Sequence, residues 1–403
     1  MKSQVIQGNN IDVLKTFPDD HFDSIVTDPP YGIDFLGKSW DANTGALETY
    51  QECLRVLKPG GHILAFSAAR TYHHLAVTIE QAGFEIRDQI MWIYSSGFPK
   101  SQDIGRSIQR SLGVEEKKIL AKTTGYTNKE GVKGKEKWMS PGQTTGDDYA
   151  KQQEQVICTD PVAKQWSGWG TQLKPAHEPI VMARKPIRLS IAGNCQKYGV
   201  GALNIDAARV TYKSEDDMPG SNNVGNDGTT FGNYSPEKTQ KDLSVEGGWD
   251  PNQAGRFPAN VIGDIPNYQK YFYCPKVSRR ERHMGFEDPG PRHPGADGGG
   301  YQVHNVNDAV IVKGQGDNSG NNHPTVKPIE LMKYLIRLIT PAGGRVLDPF
   351  NGSGSTGCAA VELDYDYTGI ELDARYVAIA TKRIAAWYAE THATTFAELF
   401  ETC

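Results

Sequence analysis

The run Ser24-Ile25-Val26-Thr27-Asp28-Pro29-Pro30-Tyr31-Gly32 joins a short apolar stretch to a carboxylate, two prolines and a phenol. Proline has no N–H to give to a sheet, so a strand opening at Ser24 must stop at Asp28. The space just past a strand's carboxyl end is where open α/β sheets hold their ligands. Asp28 and Tyr31 are therefore candidates for the mouth of a site, one as an acceptor and one as a flat aromatic face. Far down the chain, Leu347-Asp348-Pro349-Phe350-Asn351-Gly352-Ser353-Gly354 again runs from strand to acid to turn, now with glycines. Glycines let backbone N–H groups approach a ligand closely, and the helix N-terminus that follows favours negative charge. Such a turn can serve any nucleotide, or simply pack a helix on a sheet. Its Gly-x-Gly spacing is not the dinucleotide G-x-G-x-x-G, and no G-x-x-x-x-G-K-[ST] phosphate loop is present. Glu371 ends the next apolar run, where a carboxylate can accept from two ribose hydroxyls.

The elements that must position these residues alternate at both ends of the chain. Short strands are expected at Val5-Ile6, 24–27, 62–66, 84–94, 179–183, 345–348 and 367–371. Helical spacing of apolar residues runs over 11–17, 46–57, 70–82, 328–339, 355–364 and 374–390, with a further helix over 103–121. The stretches 34–44 and 123–155 read as loops, and 190–322 as irregular, with several Gly/Asn/Asp clusters. Strand–helix alternation predicts an α/β fold with a doubly wound, mostly parallel sheet. The long middle, 97–322, is an excursion that one strand interrupts.

The chain has 403 residues, 38% of them apolar, enough for a large core with insertions. No apolar run approaches the roughly 20 residues of a membrane span. The N-terminus lacks the apolar core of a signal peptide, so no membrane partner and a cytoplasmic location are expected. Six scattered cysteines without C-x-x-C spacing suit free thiols, and no metal site is expected. The net charge of −5 hides an asymmetry, since residues 97–190 hold 16 Lys and Arg against 10 Asp and Glu. A basic segment inside an acidic chain suits a polyanionic partner, or a solvated lysine-rich loop.

The pair Asp28-Pro29-Pro30-Tyr31 and Asp348-Pro349-Phe350-x-Gly352-x-Gly354 resembles the two signature motifs of DNA amino-methyltransferases. These enzymes move a methyl group from S-adenosylmethionine to adenine-N6 or cytosine-N4. The order here, with the first motif ahead of a long variable region and the glycine turn last, resembles the family's β group. His323-Pro324-Thr325-Val326-Lys327-Pro328 matches the segment that precedes the cofactor strand in that group. The resemblance covers roughly 1–96 and 323–390. It implies a Rossmann-like methyltransferase fold, circularly permuted, with a large central target-recognition insertion. The expected organisation is 1–96 as the catalytic half, 97–176 as a basic insertion and 177–190 as a strand returning to the sheet. Residues 191–322 are then the target-recognition region and 323–403 the cofactor-binding half. One departure is that Asn9 and Asn10 follow Gly8, where family members often carry an acid.

By this resemblance, Asp28 and the Pro29 carbonyl accept the two amine hydrogens of a flipped base. Pro30 stiffens the turn, and Tyr31 stacks on the base. Asp348, Phe350, Gly352, Ser353, Gly354 and Glu371 form the cofactor side, joined by Lys327 at the cofactor carboxylate. Trp40 and Asp41 lie in a loop that could close over the base. Lys133, Lys135, Lys137, Lys276, Arg279, Arg280 and Arg282 are candidates for phosphate contacts. The expected partner is double-stranded DNA. A homodimer is compatible with the reading, and any restriction endonuclease would be a separate chain. Asp at position 28 favours adenine, because cytosine-N4 members more often have Ser there. Cytosine-N4 transfer and a catalytically decayed DNA-binding protein are the alternatives.

Overall fold

The computed structural model describes residues 2–33, 43–94, 101–115, 117–122, 152–211, 255–264, 277–286, 303–306, 309–312 and 320–401. The chain divides into two compact units, Met1–Ser96 with Ala176–Cys403, and Gly97–Pro175. Trp40, Asp41, Lys133, Lys135, Lys137 and Lys276 lie outside the described residues.

The larger unit opens with β1 (Ser3–Gln7), α1 (Asn10–Leu14), β2 (Phe22–Thr27), α2 (Leu47–Val56), β3 (Leu57–Phe66), α3 (Tyr72–Gln81) and β4 (Glu85–Tyr94). The smaller unit holds α4 (Ile104–Ser111), β5 (Lys117–Lys122), β6 (Gln152–Ile157) and α5 (Pro161–Gln165). The larger unit resumes with β7 (His177–Arg184), α6 (Ile191–Tyr198), β8 (Val261–Asp264), α7 (Arg279–His283), β9 (Val303–Val306) and β10 (Ala309–Val312). It ends with α8 (Ile329–Ile339), β11 (Arg345–Asp348), α9 (Ser355–Glu362), β12 (Asp366–Glu371) and α10 (Ala374–Glu401).

Eight strands form one sheet in the order β1-β12-β11-β2-β3-β7-β4-β8. All its pairings are parallel except those of β7, which runs antiparallel to both β3 and β4. Successive residues point to opposite faces of a strand, and both faces here are covered. Val26, Leu64, Phe66 and Val346 join one buried cluster with α8, α9 and Trp92. Their neighbours Ile25, Ile63, Ala65 and Leu347 join the other, with α2 and α3. This explains why the strands read as near-continuous apolar runs. The chain passes from β2 to β3 on one side of the sheet and from β11 to β12 on the other. The crevice at this reversal lies beyond the carboxyl ends of β2 and β11, where Asp28 and Asp348 stand.

In the smaller unit, Asp103 caps α4 by accepting from the Arg106 amide, and Asp160 caps α5 ahead of Pro161. The expected helix over 103–121 is corrected here. Gly113 has φ +67 just after α4, and the chain re-emerges as strand β5, paired antiparallel with β6. The stretch read as irregular holds several ordered elements among its described residues, and two of them show their boundaries in the sequence or join the main sheet. One is α6, started by the Ser190 side chain on the Gly193 amide and stopped by Gly199 at φ +74. The other is β8, an edge strand of the main sheet. Among the described residues no helix is long and apolar enough to cross a membrane.

His62, in the middle of β3, is buried and faces Arg184 across the β3–β7 pairing. Burial, with the nearby Arg184 and Arg87 charges, pushes its pKa down to about 4, so it stays neutral in the folded protein. The unfolded chain takes up this proton first as the pH falls. Stability tied to His62 is therefore complete above its ordinary pKa of 6.5 and is lost between 6.5 and about 4. Urea unfolding at neutral and acid pH should show a His62→Leu variant losing about 3 kcal/mol less than the unaltered chain across that window.

Candidate active site

Thr27 ends β2 with its side chain directed toward the next strand. Its Oγ1 donates to Asp348 Oδ1 at 2.7 Å, tying the ends of β2 and β11 together. Beyond it, Pro29 is buried, while Asp28, Pro30 and Tyr31 are half-buried. The Asp28 carboxylate lies within a cluster. Its Oδ2 accepts from Lys327 Nζ at 2.6 Å, and its Oδ1 lies 2.9 Å from the Tyr31 hydroxyl. That hydroxyl is also 2.7 Å from Glu178 Oε2 at the start of β7, and Lys327 Nζ donates to it at 3.0 Å. Lys327 and Glu178 are 3.4 Å apart, and the Lys327 ammonium also sits 4.9 Å from the centre of the Phe66 ring.

Burial raises the Asp28 pKa; the Lys327 charge and hydrogen bond oppose that rise, and the Glu178 charge adds to it. For Lys327, burial favours the neutral amine, but Asp28 and Glu178 together outweigh it and keep the ammonium. Two of these placements depart from the sequence reading. Lys327 is bonded to Asp28, a partner the sequence reading did not give it. Glu178 does not figure among the sequence candidates. Its only signal was a charged residue at the head of an otherwise apolar strand, a pattern that strand ends at the surface share.

The glycine turn is held from beneath by Asp348, which is only 2% exposed. Besides Thr27, it accepts from Thr356 Oγ1 at 2.6 Å and from the Phe350 amide at 3.1 Å. Burial pushes its pKa up to about 6, against the pull of these three donors. Asp348 therefore acts on the turn, with its carboxylate committed to protein donors. Gly352 and Gly354 have φ of +52 and +78. A Cβ on Gly352 would meet the His323 ring at 3.0 Å, and one on Gly354 would meet Ala380 and Ile384. The Gly352 amide donates to Glu371 Oε2 at 2.9 Å, so the turn and the end of β12 are in direct contact. Buried Arg383 of α10 donates to both the carbonyl and Oγ of Ser353. Phe350 lies against Tyr50, with ring centres 6.4 Å apart. Asn10 reaches across to donate to the Pro349 carbonyl at 3.2 Å, and Asn9 caps α1. The two asparagines that depart from the family pattern thus have positioning roles.

Two residues read as phosphate contacts are used within the protein. Arg280 pairs with Glu390, and Arg282 Nη1 donates to the His323 carbonyl. His323 lies over Gly352, edge-on to Tyr376, and burial pushes its pKa down to about 3.

The model of the N6_N4_Mtase family, described as DNA methylase, matches residues 22–382 of this chain. The chain belongs to this family. Its amino-methyltransferases use S-adenosylmethionine as methyl donor. Among similar proteins, the type II methyltransferase M2.MboI of Moraxella bovis is 39% identical over 70 residues, 17% of this chain and 26% of the relative. M2.DpnII of Streptococcus pneumoniae is 44% identical over 64 residues, 16% of this chain and 24% of the relative. The chain thus spans about a quarter of the length of these relatives. Of solved structures, M1.HpyAVI superposes with a TM-score of 0.41 at 14% identity, covering 94% of this chain and 98% of the other. The PvuII DNA methyltransferase, a cytosine-N4-specific enzyme, gives 0.42 at 13%, covering 97% and 93%.

The family's cofactor can be tested against this turn. Ser355 Oγ, at the first position of α9, is buried without a partner among the described residues. The turn lacks Cβ atoms where its backbone bends sharply, and Glu371 stands at the end of the neighbouring strand. This donor and acceptor set fits S-adenosylmethionine, whose ribose hydroxyls need acceptors and whose other polar groups need donors. Gly354→Ala would force a side chain into a left-handed φ against Ala380, a strain of about 1–3 kcal/mol. Isothermal titration should find S-adenosylmethionine bound roughly tenfold or more weakly by that variant.

Proposed function

We propose that this chain is a site-specific DNA methyltransferase acting on the exocyclic amine of a flipped base, with adenine-N6 as the target. The observation that carries the reading is the Thr27–Asp348 hydrogen bond. It joins neighbouring parallel strands, one ending in an acceptor cluster and the other in a cofactor-type turn. A methyl donor and an amine held at these two ends would meet in the crevice between them.

An exocyclic amine is a weak nucleophile because its lone pair is drawn into the ring. Asp28 and the Pro29 carbonyl would accept its two hydrogens and keep the lone pair directed at the methyl group. Pro29 and Pro30 hold these acceptors in a rigid turn, and rigid positioning contributes much of the rate. Tyr31 would stack on the flipped base, worth roughly 1–3 kcal/mol. Its ring is already oriented, because its hydroxyl is anchored in the carboxylate cluster. Gly352, Ser353, Gly354, Phe350 and Glu371 would hold S-adenosylmethionine, with Asp348 fixing the turn from below. Bound there, S-adenosylmethionine supplies a methyl on a positive sulfur, which leaves as a neutral thioether. Double-stranded DNA is the substrate partner, read by residues of the central region.

Aspartate at position 28 supports adenine, since a carboxylate suits the N6 amine in the family pattern. Cytosine-N4 transfer is the second reading, carried by the same acceptors. Long-read modification sequencing of DNA from cells expressing the chain should show methylated adenines at one short motif. A parallel Asp28→Ala strain should show none. Modified cytosines at the motif would move the assignment to N4, and unmodified DNA throughout would overturn the proposal.

A further inference from the structure

The Tyr31 hydroxyl sits between two carboxylates, 2.9 Å from Asp28 Oδ1 and 2.7 Å from Glu178 Oε2. Both contacts have hydrogen-bond length. A phenol has one proton to donate, and Lys327, at 3.0 Å from the same oxygen, is itself a donor. One of the two carboxylate contacts therefore needs a proton from the carboxyl side. A charge count agrees with this. Two carboxylates and one ammonium would leave a net negative charge in a half-buried cluster, and one bound proton neutralises it.

We propose that Asp28, Tyr31 and Glu178 form a proton relay in which Glu178 takes up the proton that the methylated amine must lose. This rests on the methyl-transfer reading above. The target nitrogen, once methylated, is a cation that still carries its two original protons. One N–H bond breaks, and its proton passes to Asp28. Asp28 hands a proton to the Tyr31 oxygen as Tyr31 gives its own to Glu178 Oε2. Asp28 and Tyr31 are restored, the amine is neutral, and Glu178 is left as a carboxylic acid that releases its proton to solvent. No electrons move beyond those of the methyl transfer. Glu178 touches no reacting atom and acts through Tyr31, so it is a positioning residue.

The relay can accept only after the shared proton of the resting cluster has left, so turnover should rise with pH along an acid limb. The groups facing the two carboxylates come from five elements or turns. They are Lys327 ahead of α8, Tyr31 after β2, Tyr94 of β4, which bonds Glu178, Asp348 of β11, and each carboxylate toward the other. The raised pKa of Asp28, partly due to the Glu178 charge, supports a proton held above the ordinary carboxylate range.

The test is single-turnover transfer of tritiated methyl from S-adenosylmethionine to unmethylated genomic DNA, followed across pH for the unaltered chain, Glu178→Gln and Tyr31→Phe. Glu178→Gln should bind the cofactor normally and lower the rate about a hundredfold. Its acid limb should move to lower pH, because Asp28 loses a neighbouring negative charge. Tyr31→Phe keeps the ring but cuts the relay, and should slow transfer by a similar factor. Carbon-13 NMR of the side-chain carboxyls in the free protein gives a readout that needs no turnover. The Asp28 carboxyl should titrate above the ordinary range, and in Glu178→Gln it should move down toward that range. An unchanged rate and acid limb in Glu178→Gln, or no such carboxyl in the unaltered protein, overturns the relay and leaves the proposed function standing. Absence of transfer to any DNA by the unaltered chain overturns both.

Discussion

A single buried carboxylate holds this site together. Asp348 accepts from β2, from the first turn of α9 and from the backbone of its own turn. Three separate pieces of chain must converge on it for its charge to be tolerated where water is excluded. The raised pKa shows that the balance is close, with burial still ahead of the three donors. Around this point the architecture follows. Two parallel strands are fixed side by side at the sheet's reversal, one presenting Asp28 and the other the glycine turn.

The buried cations complete the arrangement. Lys327 lies among Asp28, Tyr31 and Glu178, and Arg383 spans Ser353 and the Glu281 carbonyl. Each fixes a loop that has no regular structure of its own. Glu281 in turn accepts from the Ile329 amide at the start of α8, and Ser278 with Glu281 caps α7. The end of the variable region is thereby bonded to the helix, the turn and the segment that carry the site. Removing one partner of such a pair would leave a charge buried without compensation, which is more costly than never having buried the pair.

Much of this could be read from the sequence because it was written in local rules. The Asp-Pro-Pro-Tyr turn ends a strand for lack of N–H groups, and the Gly-x-Gly turn has the left-handed φ values it needs at Gly352 and Gly354. Helices α2, α3 and α8 follow apolar spacing, and the mostly parallel sheet follows from strand–helix alternation. What escaped depends on contacts between residues distant in sequence. Glu178 meets Tyr31 across 147 positions, and Lys327 meets Asp28 across 299. Nothing within a window around either residue encodes that meeting. The 103–121 helix failed for a local reason that was visible, since Gly113 already marked a stop. Helix α6 was hidden by polar composition, although Ser190 and Gly199 bracket it.

The reversed strand β7 brings the two ends of the 97–175 stretch together. It lies hydrogen-bonded beside β4, and the Tyr94 amide donates to the Ala176 carbonyl at 2.9 Å, so the chain leaves the sheet and returns to it at nearly the same point. Closing a loop across so small a gap costs only slightly more as the loop lengthens. The 97–175 stretch could therefore be exchanged for another of different length while the sheet keeps its register. The sheet, and with it the Asp28 turn and the glycine turn, is thereby insulated from the length of that stretch.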